Sequence, residues 1–201
     1  MDYLTTLDQL HAAYGTPGQA ATVKVTPMLT AAYRGWIERS RFCVLSTVGP
    51  EGTDGSPRGD DGPVVRILDD RTLAMPDWKG NDRIDSLRNI LRDGRVSLMF
   101  LIPGSNTAMR VNGMGRLTLD EDLRESFRRG EALPRSVIVI RIDEVYSQCA
   151  RALMRSALWT CGDQSAGLPT VGDMLREITE GRLDGAAYDR DWPGRAATTM
   201  W

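Results

Sequence analysis

Apolar and polar positions alternate along this chain in a way that predicts short strands with helices set between them. Leu4, Leu7, Leu10 and Tyr14 recur at helical spacing and Gly15 follows, so residues 3–14 read as a helix. Residues 15–25 read as a connector. Thr26-Pro27 offers an N-cap and a proline at the first helical position. That predicts a helix to about Arg39 with Leu29, Tyr33, Trp36 and Ile37 as its apolar stripe. The period then changes. Phe42 to Val48 is short, apolar and β-prone, and Gly49-Pro50-Glu51-Gly52 is turn chemistry. Residues 52–62, GTDGSPRGDDG, read as a polar, glycine-rich loop leading to a second strand, Val64 to Leu68. Asp69-Asp70 turns the chain into a third, Thr72 to Met75. A loop over 76–82 feeds a helix from about Asn81 to Arg92, with Ile84, Leu87, Ile90 and Leu91 as its stripe and Gly94 at its end.

Arg95 to Ile102 is almost wholly apolar, the pattern of a strand covered on both faces. Residues 107–118 form a long strand in which Gly113 and Gly115 predict a bulge or bend. Thr118-x-x-Glu121 reads as a capping box opening a helix to Arg129, which Gly130 stops. Ser136 to Val145 is a sixth strand. Residues 149–158 and 170–180 read as helices, the latter with a capping box at Thr170 and Asp173. Strands do not alternate regularly with helices, which disfavours a doubly wound fold. A mainly β, α+β architecture fits better: a small six-stranded antiparallel barrel with flanking helices. The expected organisation is an N-terminal helical extension over 1–40, the barrel over 41–160, and a C-terminal helix and tail over 161–201.

Composition narrows the chemistry. With 201 residues, 41% apolar and 26% charged, the chain has the balance of a globular domain with a real core. It contains no run of about 18 apolar residues. The N-terminus lacks an apolar signal core, so the expected address is the cytoplasm. A net charge of −2 gives no strong field for nucleic acid or a membrane surface, and neither is expected as a partner. The three cysteines, Cys43, Cys149 and Cys161, have no metal or disulfide spacing. A single histidine, His11, makes a Ser-His-Asp or Cys-His hydrolase hard to build and a His-rich metal site impossible. Lys24 and Lys79 are the only lysines, so an anion site must rely on arginine.

Gly113-x-Gly115 lacks a third glycine and sits within a strand, so it is not a dinucleotide loop. Arg58-Gly59-Asp60 as an adhesion tripeptide is a coincidence of spelling, and the pairs Asp60-Asp61, Asp69-Asp70 and Glu121-Asp122 read as turns and caps. The segment Trp78-Lys79-Gly80-Asn81-Asp82-Arg83 is different. It opens into a helix, where free N–H groups and the positive dipole end favour an anion. Lys79 and Arg83 add charge, Ser86 adds a hydroxyl, and Gly80 permits close approach.

Three stretches, FCVLSTVGPEG, GSPRGDDGPVVRILDDRTLAMPDWKGNDRIDSLRNILRDGRVSLMFLIPG and MRVNGMGRL, resemble the pyridoxamine phosphate oxidase-related FMN-binding split-barrel family. The similarity covers about residues 40–160 and ends on Arg155-Ser156-Ala157-Leu158-Trp159. It implies a six-stranded split barrel, a homodimer with FMN at the subunit interface, and a small-molecule substrate. By position it implies that Arg66, Asn81 and Arg83 hold the FMN phosphate, with Lys79 and Ser86 as further candidates. Arg110 and Asn112 would approach the flavin, from the partner subunit in one arrangement, and Trp159 would pack near its ring. Ser56 and Arg58 would border the ring or substrate pocket. No side chain need be a catalyst, because the flavin carries the two-electron chemistry. The tail GRAATTMW lacks the Arg-x-His motif of the oxidase proper, so FMN binding is implied more strongly than oxidation of pyridoxamine phosphate. The expected function is an FMN-dependent oxidoreductase. The alternative is a non-catalytic FMN-binding or storage module, or a split barrel using another flavin-like cofactor.

Overall fold

In a computed structural model of the protein, residues 1–200 are described. One antiparallel sheet of seven strands forms its centre, in the order β2-β1-β5-β6-β7-β4-β3. The strands are β1 (Phe42–Gly49), β2 (Gly52–Gly59), β3 (Arg66–Asp69), β4 (Thr72–Asp77), β5 (Arg95–Leu101), β6 (Ala108–Thr118) and β7 (Ser136–Gln148). Helices flank it: α1 (Leu7–Ala13), α2 (Gln19–Val23), α3 (Ala31–Arg39), α4 (Asp85–Arg92), α5 (Glu121–Glu125), α6 (Arg151–Arg155), α7 (Val171–Ile178) and α8 (Gly185–Thr199).

The expectation of six strands in a barrel is corrected. The segment expected as a loop over 52–62 pairs with β1 along its whole length, from Phe42 opposite Gly59 to Gly49 opposite Gly52. β2 lies at an edge, where a proline such as Pro57 is tolerated. Backbone hydrogen bonds do not close the sheet: β2 and β3 are its two ends.

The core lies on one face. Leu45, Leu98, Phe100, Val111, Ile138 and Ile140 point into it from four strands, Leu73 and Met75 join from β4, and Ile37 and Ile90 cover it from α3 and α4. β5 was expected to be covered on both faces. It alternates instead, with Val96, Leu98 and Phe100 buried and Met99 exposed. On that outward face Ser97 and Leu101 are only half-buried, so the apolar run is fully covered on one side alone. The bulge foreseen in β6 exists, but the extra residue belongs to β7. Asn112 faces Glu144 and Gly113 faces Ile142, leaving Asp143 between them. Gly113 is required there, since an added Cβ would stand 2.0 Å from the Arg141 carbonyl oxygen.

Helix boundaries also shift. α3 is capped by the Thr30 hydroxyl rather than by Thr26, which pairs with Val145 in an isolated bridge. Asp120 rather than Thr118 caps α5, through Leu123 N–H. The capping box at Thr170 and Asp173 is as expected. α2 and α8 were not foreseen. In α4 only Ile90 of the expected stripe is fully buried; Ile84 and Leu91 are exposed. The α7–α8 hairpin is locked by backbone contact between Gly172 and Gly185, with the Asp189 carboxylate accepting from Gly172 N–H at 2.9 Å.

Candidate flavin-phosphate cleft

Strand β4 delivers the chain to the mouth of a cleft, and helix α4 carries it away. The connector between them begins at Trp78 and ends in two left-handed residues, Asp82 (φ 61°) and Ile84 (φ 51°). Neither is glycine, and a β-branched side chain at such an angle is strained. Ile84 is the N-cap of α4 and offers its helix no side-chain cap. The first turn of α4, with Asp85, Ser86 and Leu87, therefore opens uncapped onto the cleft. The helix begins at Asp85, four residues after the expected start, so Asn81 and Arg83 belong to the loop. Asn81 Oδ1 accepts from Arg83 N–H at 3.2 Å. An added Cβ at Gly80 would meet nothing, so the space above it is open.

The cleft has a volume of about 1130 Å³. Six of the residues singled out in the sequence line it together: Ser56, Arg58, Lys79, Asn81, Arg83 and Ser86. Most of its charges are already matched. Arg83 reaches Asp85 at 2.8 Å, Arg135 pairs with Asp82, Arg41 with Asp61, and the Ser86 hydroxyl donates to Asp54. Arg58 donates to Asp77 at 2.5 Å, and both side chains are largely buried, 19% and 13% exposed. The Arg58 Nε–H is buried and has no acceptor. Lys79 makes no ion pair with any described residue. Beside the cleft, Cys43 faces Arg58 across the β1–β2 ladder, and burial pushes its thiol up to about 12 against the opposing pull of Arg58.

Asp60 and Asp77 escaped the sequence reading. Asp60 was taken for a turn acid, yet its side chain is 4% exposed and accepts from Trp78 Nε1 at 2.9 Å and from Arg129. Their partners lie 18 to 69 residues away, so no local spacing announces them.

Four expected site residues lie elsewhere. Arg66 opens β3 and lines a separate cavity, donating to the Ser126 hydroxyl and carbonyl. Arg110 and Asn112 sit on the outward face of β6. Arg110 donates to Ser97 Oγ at 3.2 Å and lies over Tyr146, and Asn112 donates to Glu144 at 2.6 Å. The Asn112 Oδ1 acceptor is buried without a donor. Trp159 donates to the Ser105 carbonyl at 2.7 Å.

The profile of the pyridoxamine 5'-phosphate oxidase family matches residues 29–149. The chain belongs to this family. The matched span holds every strand of the sheet and all the cleft residues named above, while Trp159 lies beyond it. Among solved structures, HupZ of Group A Streptococcus is 17% identical, with 60% of this chain and 94% of that one covered and a TM-score of 0.50. It shares the fold. General stress protein 26 of Bacillus anthracis is 17% identical over 57% of this chain and 88% of that one, TM-score 0.45. An FMN-binding protein from Syntrophomonas wolfei is 15% identical over 58% of this chain and 88% of that one, TM-score 0.45. No curated protein sequence matches the chain.

Proposed function

We propose that this member of the pyridoxamine 5'-phosphate oxidase family is an FMN-binding flavoprotein of split-barrel type, and an FMN-dependent oxidoreductase acting on a small organic substrate. The reading rests on one observation: an uncapped helix N-terminus opens into a cleft that also holds the unpartnered Arg58 Nε–H and the unpaired Lys79. Those are the donors that a phosphate monoester needs, so the residues present fit the group. The name of the Syntrophomonas wolfei structure, an FMN-binding protein, accords with it.

In this reading Lys79, Asn81, Arg83, Ser86 and the α4 N–H groups hold the phosphate. Arg83 exchanges its exposed Asp85 partner for the ligand, a small cost because surface pairs are weak. Arg58 and Ser56 would border the ring, where the unpartnered Arg58 Nε–H would offer a hydrogen bond to the flavin. When bound, the flavin supplies two-electron transfer. Arg66 lies outside the cleft and is left out of the phosphate set.

Arg110, Asn112 and Trp159 also lie outside the cleft of their own chain. They would meet a flavin from a second copy, and a homodimer is part of the proposal. The outward face of β1, β5 and β6 supports it, with Phe42 and Met99 exposed and Asn112 Oδ1 buried without a donor.

The test is the visible spectrum of the purified protein, with the chromophore released by heat and identified chromatographically. FMN is the expected result. A protein that neither carries nor takes up FMN overturns the reading, and release of a different chromophore replaces the cofactor. Bleaching of the flavin by a nicotinamide without oxygen supports an oxidoreductase. A holo-protein that no donor reduces is a flavin store.

A further inference from the structure

The outward face of β6 and β7 carries charge that the cleft does not use. Arg110 and Tyr146 are cross-strand partners there, and the Arg110 guanidinium lies 5.5 Å from the centre of the Tyr146 ring. A second cation reaches the same ring: Lys24 Nζ stands 5.7 Å from its centre. Lys24 precedes the span that the family profile matches, so the second charge comes from the N-terminal extension. Its position is built into the fold. Thr26 exchanges backbone hydrogen bonds of 3.0 and 2.8 Å with Val145, and the Tyr33 hydroxyl donates to the Lys24 carbonyl at 2.7 Å. Among the described residues no carboxylate pairs with either cation. Glu144, on the same face as Tyr146, instead accepts from Asn112 at 2.6 Å. Arg110 donates one N–H to Ser97 Oγ, and a guanidinium has five. A ring face attracts a cation without neutralising it. Two like charges are therefore held beside one ring with no ion pair to offset them, and they repel unless an anion joins them.

We propose that Lys24 and Arg110 form an anion seat for the diphosphate group of a small organic molecule. Two separate single charges match two linked phosphates better than one carboxylate. Both side chains suit phosphate oxygens, arginine by a two-pronged contact and lysine as a point charge. That this molecule is a dinucleotide electron donor, presented to the flavin of a second copy, rests on the flavin reading; that a diphosphate binds at Lys24 and Arg110 does not.

Inorganic pyrophosphate is the probe, titrated by calorimetry into the wild-type protein, Lys24→Gln, Arg110→Gln, Arg110→Lys and Lys79→Ala. The wild type should bind pyrophosphate more tightly than inorganic phosphate. Lys24→Gln and Arg110→Gln should each weaken it at least about tenfold. Arg110→Lys should restore part of the loss, and Lys79→Ala, in the cleft, should leave the affinity within about twofold. Lys24→Gln should keep the FMN affinity of the wild type and its mass in light scattering. ADP-ribose should displace pyrophosphate, and failure to do so overturns the organic diphosphate. Wild-type protein silent to pyrophosphate at about 10 mM overturns the proposal. Binding lost in Lys79→Ala and kept in Lys24→Gln puts the anion in the cleft and also overturns it. So does a Lys24→Gln protein that binds pyrophosphate normally but loses its partner copy, since Lys24 then meets an acid of that copy. Lys24-dependent binding by a protein that refuses FMN would keep the seat and remove the flavin reading alone.

Discussion

Arg58 and Asp77 meet at 2.5 Å, although four strands separate theirs in the order of the sheet. β2 and β4 share no backbone hydrogen bonds, so this ion pair, with Trp78 and Asp60 beside it, draws the curled sheet together at one end. Breaking a buried pair leaves one charge without a partner. Asp77→Ala should therefore lower stability by about 3 kcal/mol in urea titration and weaken FMN binding. Arg58→Met with Asp77→Leu should recover most of the stability and none of the FMN affinity.

Lys79 has no ion pair with any described residue. Lys79→Ala should leave the thermal midpoint unchanged while FMN affinity falls about tenfold. Equal affinity in fluorescence titration would remove Lys79 from the phosphate site.

Ile84 stores strain at φ 51° with a side chain 45% exposed. Ile84→Gly should stabilise the protein by up to about 1 kcal/mol. Its effect on FMN affinity reports whether the loop geometry is tuned for the ligand.

Cys43 is buried and its thiol is held up to about 12, whereas Cys149 and Cys161 are exposed. Two thiols should react with a disulfide reagent in the native protein at pH 8, and the third only after denaturation. Above the ordinary thiol range the unfolded chain gives up the Cys43 proton and the folded protein keeps it. Stability should thus fall from about pH 9, and this part of the fall should vanish in Cys43→Ala.

Met99 is exposed on the outward face of β5. If that face joins two copies, Met99→Glu should yield a monomer in light scattering that binds FMN more weakly. A wild-type protein that is monomeric while loaded with FMN would contradict the shared site.

How much of this was legible depended on range. The strands that build the core announce themselves as apolar runs, and the connector proposed for the phosphate announces itself as basic residues at a helix start. β2 does not, because GTDGSPRG has no apolar side chain but Pro57 and is a strand only through its pairing with β1. Nor does α8, where Pro193 interrupts a stretch without a clear apolar stripe. Arg66 was placed with the phosphate by the family resemblance; in the structure its side chain meets Ser126, 60 residues away. Six of the residues named from the sequence line one cleft because they cluster in two short segments. The carboxylates that hold Arg58 and Trp78 were not, because such a pairing exists only after the sheet has curled.

The bulge at Asp143 splits β7 into two stretches that count differently. Ile138, Ile140 and Ile142 face the core on even numbers, and Val145 does so on an odd one. Losing Asp143 would not shorten the strand harmlessly. It would turn one stretch inside out relative to the other, sending three isoleucines to the surface or exchanging Val145 with its charged neighbour Glu144. A single codon deletion at this exposed aspartate should therefore be worse for the protein than most substitutions in its core.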